Sequence, residues 1–224
     1  MALLSDDQAQ QLAQMFSGLS ADVTLVHDTQ KPSKLVVPGA LQCPSCQDTL
    51  QLLEELAGIS TRLTLETHDF VAEAEAAAGA GIDKIPATVI DGVHSDGRVR
   101  YFGLPAGYEF VGFIEDIIDV GSGGPALEQA TADALTALAS PVHIQVFVSP
   151  TCPYCPAAVR AAHKLAMASA KVSADCVVVG EFPHLAQRYG VMAVPRTVIN
   201  ETVSFDGPLS EDRLVEQIAA AVAD

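Results

Sequence analysis

The chain has few basic residues, few aromatic residues and no tryptophan. It contains 12 Lys and Arg residues against 28 Asp and Glu residues, which gives a net charge of -16. A charge of this sign repels the phosphate backbone of nucleic acids and the anionic surface of membranes. We therefore expect neither nucleic acid nor a membrane as a partner.

The sequence also lacks the segments that direct proteins into or across membranes. Its first residues, MALLSDDQAQQ, place two aspartates where a secretory signal needs basic residues. No apolar run approaches the roughly 20 residues that span a bilayer. Hydrophobic residues nevertheless make up 49% of the 224 residues, which is enough apolar side chain for a buried core. We expect a globular, cytoplasmic protein.

Cysteine is scarce, but it is arranged in a pattern. Four of the five cysteines form two C-x-x-C pairs, CPSC at Cys43 and Cys46 and CPYC at Cys152 and Cys155. Such pairs are seldom permanent disulfides in a reducing cytosol. The fifth, Cys176, lies in an apolar stretch, and we expect it to be a core residue.

The sequence around each pair occurs twice, which indicates an internal repeat. Each first cysteine lies 43 residues before a proline, Cys43 before Pro86 and Cys152 before Pro195. The two prolines belong to GIDKIPATVI and GVMAVPRTVI, which share the pattern G-[IV]-x-x-[IV]-P-x-T-V-I. Between the copies, the run VGSGGP is typical of a connection. We predict two domains, residues 1–120 with CPSC and residues 121–224 with CPYC.

Strands and helices alternate in the same order in both copies. In the second copy the alternating apolar residues of Val142 to Val148 predict a strand that leads directly into CPYC, and strong helix formers follow the pair. The first copy carries an insertion at this place, so two strands are candidates there, Val23 to His27 and Lys34 to Val37. The pattern predicts the α/β class, with two tandem folds that each have a mixed sheet flanked by helices.

A C-x-x-C pair between a strand and a helix is suited to thiol chemistry. The N-terminus of a helix favours negative charge, so the first sulfur is expected to be stabilised as a thiolate. The thiolate is the nucleophile of thiol-disulfide exchange. We expect Cys43 and Cys152 to attack a disulfide, and Cys46 and Cys155 to resolve the mixed disulfide.

Two structural roles compete with this redox role. A disulfide that closes so short a loop contributes only about 2 kcal/mol, against about 5 for a 100-residue loop. The pairs also have the internal spacing of a zinc site, but 105 residues separate Cys46 from Cys152. No ligand-spaced histidine cluster occurs, and His143, His163 and His184 are expected to be partly exposed. We expect no metal.

The repeated prolines precede short strands, next to the place where the cysteines are predicted. A trans proline there would only start an outer strand, whereas a cis bond makes a tight turn. Recurrence at the same distance from both pairs favours cis bonds at Ile85-Pro86 and Val194-Pro195. The backbone of Ile85 and Val194 is then free to pair with an extended substrate segment. Tyr154 offers a flat apolar surface beside the second pair.

Strand, CPYC, helix and the V-P-x-T-V-I segment together resemble the thioredoxin and glutaredoxin superfamily. Two such units in one chain resemble the tandem protein disulfide oxidoreductases, which are glutaredoxin-like proteins of archaea and some bacteria. RYFGLPAGYEF (100–110), FVSPTCPYCPA (147–157) and VMAVP (191–195) stand as that family has them. The resemblance covers essentially the whole chain. It implies dithiol-disulfide exchange on protein substrates through redox-active disulfides and no other cofactor, with electrons supplied by a thioredoxin-reductase-like flavoenzyme.

One feature of thioredoxins is missing at the expected place. Thioredoxins carry a buried acid six residues before the attacking cysteine, where this sequence has Val37 and Val146. Proton transfer to or from the resolving thiol must then use another residue. Asp69 and Glu181, each preceding a phenylalanine at a strand end, are candidates, and the competing role for both is capping of the following helix.

We predict an oxidoreductase that reduces, forms or isomerises disulfides in protein substrates, with CPYC as the more active centre. An alternative is a module that delivers electrons to a peroxidase, with a peroxiredoxin as partner, as the tandem thioredoxin-like portion of alkyl hydroperoxide reductase flavoproteins does. In that module one copy keeps its cysteines, whereas both copies do here. Alternatives from other classes are a zinc-holding binding protein and a holdase for unfolded chains.

Overall fold

The computed structural model describes residues 2–30 and 43–222. Within these residues eight strands form one mixed sheet in the order β2-β1-β3-β4-β6-β5-β7-β8. The strands are β1 Val23–Thr29, β2 Leu63–Asp69, β3 Ala87–Asp91, β4 Val99–Phe102, β5 Val142–Val148, β6 Val172–Val178, β7 Arg196–Ile199 and β8 Val203–Asp206. The helices are α1 Asp6–Phe16, α2 Cys46–Ala57, α3 Ala74–Gly79, α4 Tyr108–Gly121, α5 Gln129–Thr136, α6 Cys155–Ala168, α7 Pro183–Arg188 and α8 Glu211–Ala221.

The sheet consists of two units of four strands with the same internal order. In the first unit β1 pairs in parallel with β2 and antiparallel with β3, and β3 pairs antiparallel with β4. In the second unit β5 has the same relation to β6 and β7, and β7 pairs antiparallel with β8. The sequence repeat therefore corresponds to a repeat of the fold. The α/β class and the tandem arrangement predicted from the sequence are confirmed.

The outer strands β4 and β6 join the two units. They pair in parallel, with Val99 opposite Ala174 and Phe102 opposite Val177. A buried ion pair crosses the same junction, because Nε of Arg100 on β4 lies 2.6 Å from a carboxylate oxygen of Asp175 on β6. The other oxygen of Asp175 lies 2.7 Å from Nε2 of His143. The junction is thus held by backbone hydrogen bonds and by charge.

A second contact between the units is the packing of α4 against α6. Asp116 of α4 is fully buried and accepts hydrogen bonds from the Tyr101 hydroxyl, from Nδ1 of His163 (both 2.6 Å) and from Arg160. The expected partial exposure of His163 is wrong, because this ring is fully buried in the α4–α6 contact. Burial, reinforced by the Arg160 guanidinium, lowers the pKa of His163 to about 3.

A local sequence signal explains the start of α1. Ser5 and Gln8 form a reciprocal capping box at the start of α1, where the Ser5 hydroxyl accepts the Gln8 N–H and the Gln8 side chain accepts the Ser5 N–H. Among the described residues the strand before CPSC is β1, and the alternative at residues 34–37 lies outside them and stays a prediction. The predicted domain boundary after residue 120 falls at the end of α4 and stays a prediction.

No helix in the described part of the chain is long and apolar enough to cross a bilayer.

Candidate functional site

The second C-x-x-C pair lies between the end of β5 and the start of α6. Cys152 occupies the turn before the helix, where its N–H donates to the Ser149 carbonyl at 3.0 Å. Cys155 is the first residue of α6 and is completely buried. Both residues are free thiols. The attacking cysteine thus lies one turn before the helix, and the resolving cysteine lies inside it.

The repeated prolines form the cis turns predicted from the sequence, and the second turn lies beside its cysteine pair. Both Ile85-Pro86 and Val194-Pro195 are cis peptide bonds. The sulfur of Cys152 lies 3.6 Å from the carbonyl oxygen of Val194, so the second proline turn borders the reactive sulfur directly. Val194 is half-buried, whereas Ile85 is only 6% exposed. Val194 beside the second pair is therefore more exposed than Ile85, the equivalent residue of the first unit.

A buried carboxyl group approaches the second pair from the other unit. Glu109, in the first turn of α4, has no exposed surface. One of its oxygens lies 3.9 Å from the sulfur of Cys176, and the other has no hydrogen-bond partner in the described residues. Burial raises the pKa of Glu109 to about 8. At neutral pH this carboxyl group can therefore both hold and release a proton.

The Glu109 carboxyl group acts electrostatically on the thiol of Cys155, the resolving cysteine. Burial raises the pKa of the Cys155 thiol far above its usual value, and the neighbouring Cys152 and Glu109 raise it further. A thiol that is so hard to deprotonate needs a base when it reacts. Glu109 is the buried acid that sequence reasoning missed. The signal was present, because Glu109 belongs to the family-like segment RYFGLPAGYEF.

The first pair is a disulfide between Cys43 and Cys46, with the Cα atoms 5.4 Å apart. Cys46 is the first residue of α2. The hydroxyl of Ser45, which lies between the two cysteines, donates to the carboxylate of Glu181. The other oxygen of Glu181 accepts the N–H of Leu104 at 2.7 Å. Glu181 therefore contacts the first pair across the junction of the units, although it follows a strand of the second unit.

The two acids suggested for proton transfer, Asp69 and Glu181, have different hydrogen-bond partners. Asp69 accepts the N–H groups of Val71 and Ala72 at 3.2 and 3.1 Å, in the turn before α3, whose N-terminus has no side-chain cap. Glu181 instead contacts the loop of the first pair. Tyr154 is 67% exposed beside the second pair. The functional roles of these three residues stay predictions.

In the first unit, the structural position that corresponds to the buried acid of thioredoxins is not the one six residues before Cys43. Strand register places His27 opposite Thr88 on β3, and Val146 opposite Thr197 on β7. The two threonines are equivalent residues of the repeated P-x-T-V-I segment. His27 is therefore the structural counterpart of Val146. The count of six residues gave Val37 because the insertion separates β1 from Cys43, and Val37 itself lies outside the described residues.

An apolar groove borders the second proline turn. It has a volume of about 370 Å³ and is lined on one side by the end of β6 and the start of α7, and on the other by the segment before Pro195. Met192 in that segment is 94% exposed.

Among residues 2–30 and 43–222, no three His, Cys, Asp or Glu side chains are grouped as a metal ion would require.

Residues 142–220 match the family model of the thioredoxin domain. Over 81 residues the chain is 46% identical to a thioredoxin of Methanocaldococcus jannaschii, which corresponds to 35% of this chain and 94% of that thioredoxin.

Two solved structures match nearly the whole chain. A protein disulfide oxidoreductase of Aeropyrum pernix shares 27% identity with a TM-score of 0.86, over 98% of this chain and 94% of that one. The alkylhydroperoxide reductase AhpF of Enterococcus faecalis shares 26% identity with a TM-score of 0.84, over 96% of this chain and 99% of the solved chain.

The match to curated proteins of greater length is partial. An NADH dehydrogenase of Ferdinandcohnia aciditolerans is 22% identical over 78% of this chain, which spans 31% of that relative. The chain thus spans about a third of the length of such relatives.

Proposed function

Because the chain belongs to the thioredoxin family, as a tandem of two thioredoxin folds, we propose that it is a protein dithiol-disulfide oxidoreductase that reduces, forms or isomerises disulfides in other proteins. The geometry of the second centre carries this proposal. The free sulfur of Cys152 lies 3.6 Å from the backbone carbonyl of Val194, and the free thiol of Cys155 is buried behind it. An attacking sulfur, a backbone surface for substrate and a resolving thiol therefore occur together.

The reaction proceeds through a mixed disulfide. The Cys152 thiolate attacks one sulfur of a substrate disulfide, so that a bond from Cys152 to substrate forms while the substrate disulfide breaks. The released substrate sulfur takes up a proton. Cys155 then loses its proton and attacks the sulfur of Cys152, which frees the second substrate thiol. The substrate gains two electrons, and the protein is left with a Cys152–Cys155 disulfide.

We assign the proton of the resolving thiol to Glu109. The carboxyl group is buried, it acts electrostatically on Cys155, and its pKa of about 8 lies near neutral pH. A base with such a pKa accepts a proton from the thiol without being permanently charged in the apolar interior. In the oxidising direction, the same group returns the proton.

The substrate binds as an extended segment along the second proline turn. Val194 is half-buried at the edge of the apolar groove, and Tyr154, between the two cysteines, is exposed. Backbone hydrogen bonds do not depend on side chains, so this mode suits many protein substrates. Electrons come from a thioredoxin-reductase-like flavoenzyme, and we place the reaction in the cytoplasm.

Insulin reduction by dithiothreitol tests the proposal. We expect Cys152→Ser to lose most of the activity and Cys43→Ser to lose little, because Val194 beside the second pair is more exposed than Ile85 in the first unit. Each variant is the matched control for the other, since both replace one attacking sulfur by oxygen. Full activity in a variant that carries both substitutions would refute the oxidoreductase function, and the reverse ranking of the single variants would refute the primacy of the second centre.

A second candidate function is electron delivery to a peroxiredoxin. It is supported by the likeness to the alkylhydroperoxide reductase AhpF over 96% of this chain. Its test compares the rate at which the reduced protein transfers electrons to an oxidised peroxiredoxin with the rate for insulin. A rate for the peroxiredoxin that exceeds the insulin rate by orders of magnitude favours this role, and similar rates favour the general oxidoreductase.

A further inference from the structure

The two centres differ at one buried position of equivalent strands. His27 on β1 and Val146 on β5 both face the threonine of the repeated segment, as the strand register shows. In the second unit the side chain is apolar, and Glu109 supplies a buried acid from outside that unit. In the first unit the same position holds an imidazole. The sequence therefore places a titratable side chain within the fold of the first centre.

The ring of His27 has one occupied nitrogen and one free nitrogen. Its Nδ1 lies 2.9 Å from the Ala87 carbonyl oxygen, which can only accept, so Nδ1 carries the hydrogen. Nε2 is then an acceptor. It is completely buried and has no hydrogen-bond partner among the described residues. A buried acceptor without a partner is costly, so it calls for an explanation.

The first centre lies next to this ring. The backbone of Cys46 is close enough to favour the protonated imidazole, together with that of Ala87, although burial dominates and lowers the pKa of His27 to about 4. The ring is therefore neutral at neutral pH, with its lone pair available. In the structure Cys46 is part of a disulfide and has no proton to donate.

We propose that His27 is the proton-transfer residue of the first centre, whose Nε2 accepts the proton of the Cys46 thiol. This inference rests on the proposed thiol-disulfide exchange. When Cys43 holds a substrate in a mixed disulfide, the Cys46 proton moves to Nε2. The Cys46 sulfur then bonds to the Cys43 sulfur, the bond from Cys43 to substrate breaks, and the substrate thiolate takes a proton from water. The imidazolium releases its proton to solvent.

The transfer is compatible with burial. An isolated imidazolium is disfavoured in the interior, but a proton passed from thiol to imidazole creates a thiolate and an imidazolium together, so no net charge is added. The attraction between the two charges offsets part of the desolvation cost.

Other titratable groups near β1 face elsewhere. Asp28, the next residue on the strand, interacts with His68 and Glu73. Across from His27 on β3 stands Thr88, and on α2 the neighbouring titratable group is Cys46 itself. The carboxylate of Glu181 approaches the first centre through Ser45, which makes it the competing base.

The test uses the full chain with Cys152→Ser and Cys155→Ser, so that exchange occurs at the first pair alone. The reduced protein is mixed with a short peptide disulfide, quenched with acid, and analysed by mass spectrometry for the mixed disulfide between pH 5 and 9. We expect His27→Gln to lengthen the lifetime of the mixed disulfide by about 10- to 100-fold. The rate should then rise tenfold per pH unit, as for an unassisted thiol, whereas the parent should show a flatter profile. His68→Gln, on the neighbouring strand, is the matched control and should behave as the parent.

The outcomes separate this inference from the proposed function. A parent that forms no mixed disulfide refutes exchange at the first centre and the role of His27 with it. A parent that exchanges while His27→Gln keeps its lifetime and pH profile refutes the role of His27 alone. A longer lifetime and a tenfold rise in rate per pH unit in Glu181→Gln, with the parent's profile kept in His27→Gln, also refutes it and identifies Glu181 as the base.

Two further measurements keep the proposal testable if the His27→Gln variant misfolds. His27→Val copies the residue of the second unit and should show the same slowed resolution as His27→Gln. In the parent, the ¹⁵N resonance of His27 Nε2 should move between the oxidised and the reduced protein, because reduction gives the nitrogen a thiol donor. An unchanged resonance would overturn the proposal without any variant.

Discussion

At the scale of single residues, the proton transfer proposed for the second centre depends on the protonation of Glu109. Replacing it by glutamine keeps the shape and removes the proton acceptor. We expect Glu109→Gln to slow resolution of the Cys152 mixed disulfide by about 10- to 100-fold and to remove the inflection of its pH profile near 8. Glu115→Gln is the matched control, because Glu115 lies on the same helix and is half exposed. Equal lifetimes in both variants would contradict the role of Glu109.

The same residue predicts a pH dependence of stability. The pKa of Glu109 is about 8 in the folded protein against an ordinary 4.5, so the folded state holds a proton that the unfolded chain has lost between these values. The free energy of unfolding therefore decreases as pH rises from about 4.5 to about 8. Glu109→Gln should remove this decrease in urea titrations at successive pH values.

His163 acts in the opposite direction over a lower range. Its pKa is about 3 when folded and 6.5 ordinarily, so stability is lost as pH falls below 6.5. This contribution is the same in wild type and in Glu109→Gln, and the difference between the two curves isolates Glu109. Parallel curves above pH 6.5 would show that the carboxyl group does not titrate in this range.

Sequence and structure agree most closely at the cysteines and prolines. A repeated 43-residue spacing fixes all of them, because each copy folds in the same way. Glu109 and His27 escaped prediction for different reasons. Glu109 acts electrostatically on Cys155 of the other unit, and an interaction between the units leaves no periodicity in the chain. Because of the insertion between β1 and Cys43, His27 does not lie six residues before that cysteine. Its equivalence to Val146 follows from the strand register instead.

At the scale of elements, the segment between β4 and α4 connects the two units near both centres. The N–H of Leu104 donates to Glu181, and the N–H of Tyr108 donates to the carbonyl of Pro150, at 3.0 Å, just before the second pair. Gly107 has a φ of 61°, and a Cβ there would lie 2.2 Å from the Pro150 oxygen. A side chain at this position would therefore displace the loop that carries Cys152.

We expect Gly107→Ala to lower the free energy of unfolding by about 2 kcal/mol or more. Alkylation of Cys152 by iodoacetamide should change at the same time, because the loop must move. Gly97→Ala is the matched control, since Gly97 also has a positive φ, of 73°, but has no atom within 4 Å of the added Cβ. If both variants lose the same stability, the cost comes from the backbone conformation and the contact with Pro150 carries no weight.

At the scale of the whole molecule, the β4–β6 pairing makes the two units one sheet. Alternation of apolar residues predicted the strands and their burial, but it does not specify which outer strands pair, so this junction could not be predicted from the sequence. The ion pair of Arg100 and Asp175 crosses the junction and is almost entirely buried. Breaking a buried pair leaves an uncompensated charge, at a typical cost of about 3 to 5 kcal/mol.

We expect urea to unfold both units in one transition, with hydrogen exchange of β1 and β5 reporting the same free energy. Asp175→Ala should lower that free energy in both strands, by about 3 to 5 kcal/mol. Asp206→Ala, which breaks the exposed pair with Arg196, is the control and should change it by less than about 1 kcal/mol. Two separated transitions in wild type would show that the units fold independently.

The pairing of β4 with β6 also covers two strand edges that would otherwise be open to other molecules. A lone unit would present an unsatisfied row of N–H and C=O groups along β4 or β6, and such a row recruits strands from other molecules. In the tandem chain each unit satisfies that row of the other. Duplication thus protects both strand edges from pairing with other molecules. We expect either unit on its own to self-associate through its uncovered strand.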